Sequence, residues 1–251
     1  MKNISRLLFV SCFAAMALAM PVAAAPKTDA EKAEIESIVR DYLLANPTIL
    51  REMADKLEAN DKQAEEAQRD KALATFKDEV FKTASDPTIG SKKPDVTIVE
   101  FMDYNCGWCK KSVKEIQSLV GADKNIKVIF KDFPIFGEHS EYAAKAALAA
   151  ERQGKYWELH QAIFGHEGQV TTDVVNQLAE AQGLDMTKLQ ADIGSKEIGE
   201  RIAANMQLAK NLAINGTPAF VIDDKVYGGY LPIEGMNEAI AEVRAKGCKM
   251  C

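Results

Sequence analysis

Apolar and polar positions divide the 251-residue chain into stretches of different period. A nearly unbroken apolar run occupies 7–20, behind Lys2 and Arg6 and ahead of the small residues of 21–25. Ile35, Ile38, Val39, Tyr42 and Leu43 then recur at three and four, which predicts one apolar face of a helix. Asn46-Pro47 interrupts it, with Asn46 as a cap and Pro47 opening the next helix. From Thr48 to Ser85 there is neither Gly nor Pro, so one continuous helix is predicted, about 55 Å long at 1.5 Å per residue. It opens with Leu50, Met53 and Leu57 at heptad spacing, but its middle is polar, with only Ala64 and Ala67 at the matching positions. Such a helix is not a core helix. It reads either as a solvated connector or as a stalk whose apolar start packs against copies of itself. Self-association is the reading adopted, through residues 30–75, as a dimer or a trimer.

The pattern changes at Asp86-Pro87 and at 90–94, which predict a linker over 86–94. A β-rich apolar run follows at 96–102, long enough for a buried strand, then a helical run at 110–120 and a second strand at 126–130. An alanine-rich helical block extends over about 139–214, broken at Gly154, 165–168, Gly183 and Gly194. Ala219 to Asp223 and Lys225 to Tyr227 read as a hairpin turning at Asp223-Asp224. A last amphipathic helix, carrying Ile233, Met236, Ile240 and Val243, stops at Gly247. Strand, helix, strand, helical block, strand, strand, helix is the plan of an α/β thioredoxin fold with a helical domain inserted in its middle. The predicted organisation is a signal peptide at 1–24, a helical stalk at 25–85, a linker at 86–94 and the main domain at 95–251.

Composition adds an address. The order of charged, apolar and small residues in 1–25 is that of a secretory signal peptide, with cleavage expected near Ala24 and export to the periplasm of a Gram-negative bacterium. Cys12 is removed with it. The four remaining cysteines form two C-x-x-C pairs, Cys106/Cys109 and Cys248/Cys251, rather than clips across long loops. In an oxidising compartment disulfides are the default state of such pairs. A net charge of −6, mild and spread along the chain, gives no reason to expect nucleic acid or an anionic membrane as a partner.

Cys106-Gly107-Trp108-Cys109 carries the candidate chemistry. A cysteine at a helix start gains thiolate character from unpaired N–H groups and partial positive charge. Cys106 is therefore the expected nucleophile. Cys109, one turn in, is the expected resolving thiol that closes on the mixed disulfide. No cofactor beyond this redox-active pair is required. His139, His160 and His166 fall in the helical block at no metal-ligand spacing and read as surface or loop residues.

The stretch 99–110, Val-Glu-Phe-Met-Asp-Tyr-Asn-Cys-Gly-Trp-Cys-Lys, resembles the active-site strand and helix start of the DsbA-like branch of the thioredoxin superfamily. The stretch 216–220, Gly-Thr-Pro-Ala-Phe, resembles its cis-proline loop, and 40–57 resembles the N-terminal segment of ScsC-like (suppressor of copper sensitivity) members. The resemblance implies a buried acid at Glu100, able to exchange a proton with Cys109. It also implies a cis bond before Pro218, against Cys106, exposing Thr217 as an edge for a substrate strand. Strongly oxidising relatives carry a histidine between the cysteines. Gly107-Trp108 supplies no such charge and resembles the Gly-Tyr of disulfide isomerases. A disulfide isomerase acting on misoxidised secreted proteins is thus expected, served by a membrane redox partner. A DsbA-like oxidase, and a module binding copper or unfolded chains, stand as alternatives. Cys248-Lys249-Met250-Cys251 reads as a local tail disulfide that constrains little, as a soft-ligand tail for copper(I), or as a redox relay to Cys106.

Overall fold

The computed structural model describes residues 28–82 and 86–250. The signal segment with Cys12 and the cleavage point, and the last residue, Cys251, lie outside the described residues. No helix among the described residues is long and apolar enough to cross a membrane.

The chain divides into two compact units between Ala59 and Asn60. The first holds α1 (Asp29–Ala45) and the opening of α2 (Thr48–Thr75). Helix α1 starts on a capping box: Glu31 N–H donates to the Thr28 hydroxyl, and Thr28 N–H donates to the Glu31 carboxylate at 2.7 Å. It ends where Asn46 Nδ2 donates to the Tyr42 carbonyl at 2.8 Å. Within this unit Ile38, Tyr42, Leu44, Leu50, Met53 and Leu57 are all about 60% exposed or more, and α1 buries nothing.

The second unit is built on a five-stranded sheet in the order β1-β3-β2-β4-β5. Strand β2 (Val96–Met102) runs parallel to β3 (Ile126–Asp132), with α4 (Gly107–Ala122) between them in sequence. Strands β4 (Ala219–Ile222) and β5 (Lys225–Gly228) form the hairpin on the other side, turning at Asp223 with φ 51°. All seven residues of β2 are buried, which is why it reads as an apolar run interrupted only by Thr97 and Glu100. One face of the sheet, with Val96, Ile98, Met102, Val128 and Phe130, packs on α4, on α10 (Ile233–Lys246) and on the helical insert. The insert comprises α5 (Glu138–Glu151), α6 (Tyr156–Gly165), α7 (Thr172–Ala181), α8 (Met186–Ile193) and α9 (Lys196–Asn211). Its alanines let helices approach closely: Ala143, Ala146, Ala147 and Ala149 are fully buried. This is the α/β thioredoxin-like arrangement predicted from the element order.

Two predicted boundaries are corrected. The long helix ends at Thr75, and a short α3 (Lys77–Phe81) follows after a bend at Phe76. The bend lays Leu73, Val80 and Phe81 against Val99, Phe101 and Ile129 on the second face of the sheet. Burying such side chains is worth about 1.5–3 kcal/mol each, enough to override helix propensity at one residue. Within this segment Leu73, Val80 and Phe81 are therefore core rather than solvated stalk. The segment read as a linker contains β1 (Thr88–Gly90), an edge strand antiparallel to β3. Three residues are too few to show alternation. Gly90 is required there, because at φ +94° a Cβ would lie 2.3 Å from the Ile126 carbonyl oxygen.

Candidate active site

Cys106 is the N-cap of α4, and the Cys109 N–H donates to its sulfur at 3.3 Å. The helix holds this pose because Val113, Ile116 and Leu119 bury the face that continues from Cys109. The pair is in the dithiol form. The Cys106 thiol donates to the Thr217 carbonyl at 3.2 Å, and the Thr217–Pro218 bond is cis. The structure thus brings Cys106, Cys109, Thr217 and Pro218 to one point. Glu100 lies beneath, 1% exposed, with neither carboxylate oxygen hydrogen-bonded.

The two sulfurs differ sharply. The Cys109 thiol, hydrogen-bonding to the Cys106 sulfur, is the main influence lowering the Cys106 pKa to about 6, with help from Thr217 and the backbone N–H groups of the helix start. Burial pushes Cys109 far upward, and the neighbouring Cys106 and Glu100 add to it. Burial likewise holds Glu100 well above the usual carboxylate range. With a pKa near 6, Cys106 is roughly 90% thiolate at pH 7. Its alkylation rate by iodoacetamide is accordingly expected to rise with pH through a midpoint near 6 and to be flat above about pH 7.5. A midpoint above 8 would contradict the Cys109-to-Cys106 hydrogen bond.

Several residues that frame the site were given no such role by the sequence. Asp103, 1% exposed, accepts from the N–H groups of Asn105, Ile135 and Phe136 at 2.7–3.1 Å. It so ties the motif to the loop that exposes Ile135 and Phe136. The Asn105 amide pairs with both backbone groups of Val170, fastening the insert beside the motif. Trp108, 57% exposed, stacks on Tyr230 with centroids 5.3 Å apart, and Lys111 Nζ lies 4.4 Å from the Tyr230 ring. A cation thus stands beside the dipeptide that the sequence reading left uncharged. Tyr230 comes from far along the chain, so no local pattern could have placed it.

Other expectations need revision. His160 is not at the surface: it is fully buried on α6, with Nδ1 3.1 Å from the Tyr104 hydroxyl and its ring against Phe130 and Trp157. Burial lowers its pKa to about 3, so it is neutral and packs as an aromatic. Half of the tail pair lies outside the described residues. Cys248 is disulfide-bonded, and a disulfide sulfur is not the thiolate that copper(I) prefers. Nor does the tail hang free. The N–H groups of Lys249 and Met250 both donate to Asp223 at 2.7 Å, and Lys77 donates to the Lys249 carbonyl. No group of three or more His, Cys, Asp or Glu among the described residues is placed to hold a metal ion.

Comparison with known proteins agrees with this geometry. Residues 97–241 match the DSBA-like thioredoxin domain family, and residues 31–64 match the copper resistance protein ScsC N-terminal domain. The chain belongs to the DsbA-like thioredoxin family. A thioredoxin-like oxidoreductase from Silicibacter pomeroyi is 40% identical over 67% of this chain and 97% of its own, with a TM-score of 0.66. A linker-deletion mutant of ScsC from Proteus mirabilis is 27% identical, covering 89% of this chain and all of its own, with a TM-score of 0.69. The Na(+)/H(+) antiporter NhaA 1 of Salinispora arenicola is 27% identical over 158 residues, 62% of this chain and 24% of the antiporter. The DsbA-like chain thus spans about a quarter of the length of the curated relatives it matches.

Proposed function

We propose that this chain is a periplasmic thiol–disulfide oxidoreductase that reopens and reshuffles wrong disulfides in secreted proteins. The observation that carries the reading is the Cys106 sulfur: its pKa is lowered to about 6, and it sits 3.2 Å from the cis-proline loop that offers a strand edge. An isomerase attacks with a resting thiolate, and a sulfur with a pKa of about 6 supplies one whenever the pair is reduced. Cys106 attacks a substrate disulfide and one substrate sulfur leaves as thiolate. To reshuffle, that thiolate attacks another substrate disulfide and a substrate thiolate then displaces Cys106, whereas to reopen without reshuffling Cys109 displaces the substrate and closes the Cys106–Cys109 disulfide. A membrane redox partner returns the pair to the dithiol.

The apolar residues of α1 and of the opening of α2 support assembly of several copies, dimer or trimer. The matched ScsC N-terminal domain covers this same stretch. Several thiol pairs facing one substrate suit repeated attack on wrong bonds.

A DsbA-like oxidase is the second reading, and one observation favours it. A thiolate stabilised to a pKa of about 6 favours the reduced protein, and so makes the disulfide more oxidising than a pair at the free-cysteine value of about 8.5. The value nevertheless lies closer to thioredoxin, about 7, than to DsbA, about 3.5.

Refolding of a scrambled-disulfide substrate decides between them, run beside mass measurement by light scattering. The intact chain is expected to exceed one chain's mass and to repair the scrambled substrate. Leu44→Glu with Met53→Glu is expected to reduce the mass to one chain and repair at least fivefold, leaving oxidation of reduced substrate within about twofold. Scrambled substrate left unrepaired while reduced substrate is oxidised would establish the oxidase.

A further inference from the structure

Behind the cysteines lies a second carboxylate that the exchange reaction leaves without a task. Asp132 ends β3 and is 1% exposed; like Glu100, it has no hydrogen bond to either side-chain oxygen among the described residues. In the β2–β3 register Met102 faces Asp132 and Glu100 faces Phe130, so both acids project on the face that α4 and the insert cover. With parallel strands about 4.8 Å apart and a rise of about 3.3 Å per residue, positions offset by two residues on neighbouring strands are about 8 Å apart. Burying four unpartnered carboxylate oxygens is costly, and so large a cost calls for a reason.

Groups that carry protons are buried in the same core as the two acids. Tyr104 follows β2, and Tyr156 and His160 come from α6. The His160 ring lies 5.6 Å from Tyr104 and 5.4 Å from Tyr156, centroid to centroid. Both phenols sense the charge of both carboxylates. Asp132 also senses the charges of Arg201 and Glu151, a pair joined at 2.9 Å whose side chains are 16% and 32% exposed. Arg201 is the cation that favours its ionised form, while burial, Asp86, Glu151 and Asp103 oppose that form. Lys131, next to Asp132 on β3, is turned to Asp86. His160, neutral, packs between the two tyrosines from α6.

We propose that Asp132 is a second proton carrier for the Cys106–Cys109 centre, exchanging a proton with Glu100 past the Tyr104 and Tyr156 hydroxyls and with solvent at the Arg201–Glu151 margin. The inference rests on Cys106/Cys109 being the exchanging pair. Its logic is access. While a substrate strand lies on Thr217, the mouth of the site is covered and Glu100 has no route to water there. The flank remains open. The balance is simple: the Glu100 acid gives its proton to the Asp132 carboxylate and becomes a carboxylate. Cys109 S–H then gives its proton to Glu100, and the Cys109 thiolate attacks the Cys106 sulfur of the mixed disulfide. A Cys106–Cys109 bond forms, the Cys106–substrate bond breaks, and the substrate sulfur leaves as thiolate. Asp132 sheds its proton at the flank. No other oxidant or reductant enters.

The test is the pH profile of ring closure on the full chain, followed as Cys109 expels glutathione from a Cys106 mixed disulfide. Asp132→Asn is expected to slow closure about tenfold near pH 7 and to displace the rising limb of the profile. Asp132→Glu is expected to stay within about twofold of the unaltered protein, and the alkylation profile of Cys106 to be unchanged in both. An Asp132→Asn profile identical to the unaltered one overturns the proposal. So does slowing that is uniform across pH and not repaired by Asp132→Glu, which would make Asp132 a packing residue. Should Asp132→Asn fail to fold, the reduced-minus-oxidised infrared spectrum of the unaltered protein decides: two responding carboxyl C=O bands support the relay, and one overturns it. Failure of the unaltered protein to expel glutathione would instead defeat the assignment of the exchanging pair.

Discussion

Cys106→Ser is expected to lower thiol–disulfide exchange by more than about a thousandfold, because a neutral hydroxyl neither attacks a disulfide at pH 7 nor forms one. Cys109→Ser is expected to behave differently. Attack survives, since Cys106 keeps the Cys109 N–H and the helix start, but release of the substrate fails and mixed disulfides accumulate. In Cys109→Ser the Cys106 midpoint is also expected to rise above 6, because the largest influence lowering it is the hydrogen bond from the Cys109 side chain. A serine hydroxyl would replace part of that bond, so the rise is expected to be smaller than in Cys109→Ala. Trapped substrate complexes on non-reducing gels and alkylation against pH measure the two effects. Exchange retained by Cys106→Ser would sink every thiol-exchange reading of this chain.

What the chain reveals before folding follows from how locally each feature is encoded. Strand β2 is legible because it is buried on both faces and therefore apolar at every position but Thr97 and Glu100. The hairpin is legible because Asp223-Asp224 marks its turn, and the insert because glycines break it. The motif and the Thr217-Pro218 loop are legible as sequence patterns, although they are 111 residues apart where the Cys106 sulfur meets the Thr217 carbonyl. The features that escaped are those set by tertiary contact. Strand β1 exists because β3 offers an edge, not because Thr88-Ile89-Gly90 favours extension. The bend at Phe76 exists because the second face of the sheet needs cover. His160 looked like a surface residue because its partners, Phe130 and Tyr104, lie 30 and 56 positions away. The Trp108–Tyr230–Lys111 stack escaped for the same reason.

The same segment that overturned the predicted linker carries the largest expected stability effect. Lys131 and Asp86 form an ion pair whose side chains are 2% and 5% exposed, and Lys131 Nζ also donates to the Glu79 carbonyl at 2.7 Å. The lysine therefore ties the segment bearing α3 and β1 to the back of the sheet. Asp86→Ala leaves a buried ammonium without its carboxylate and is expected to cost about 3–5 kcal/mol, read as a lower urea midpoint. Asp86→Ala combined with Lys131→Met removes both charges and is expected to recover most of that loss, because the desolvation of two ions then disappears along with their attraction. The pH dependence has a defined sign. Burial lowers the Lys131 pKa below its unfolded value, against the pull of Asp86, so between the two values the unfolded chain binds more protons. This lysine's contribution to stability therefore grows as pH rises through that window, and Lys131→Met flattens the slope. A single replacement no more costly than the double one would show that the pair is solvated and does not hold β1 in place.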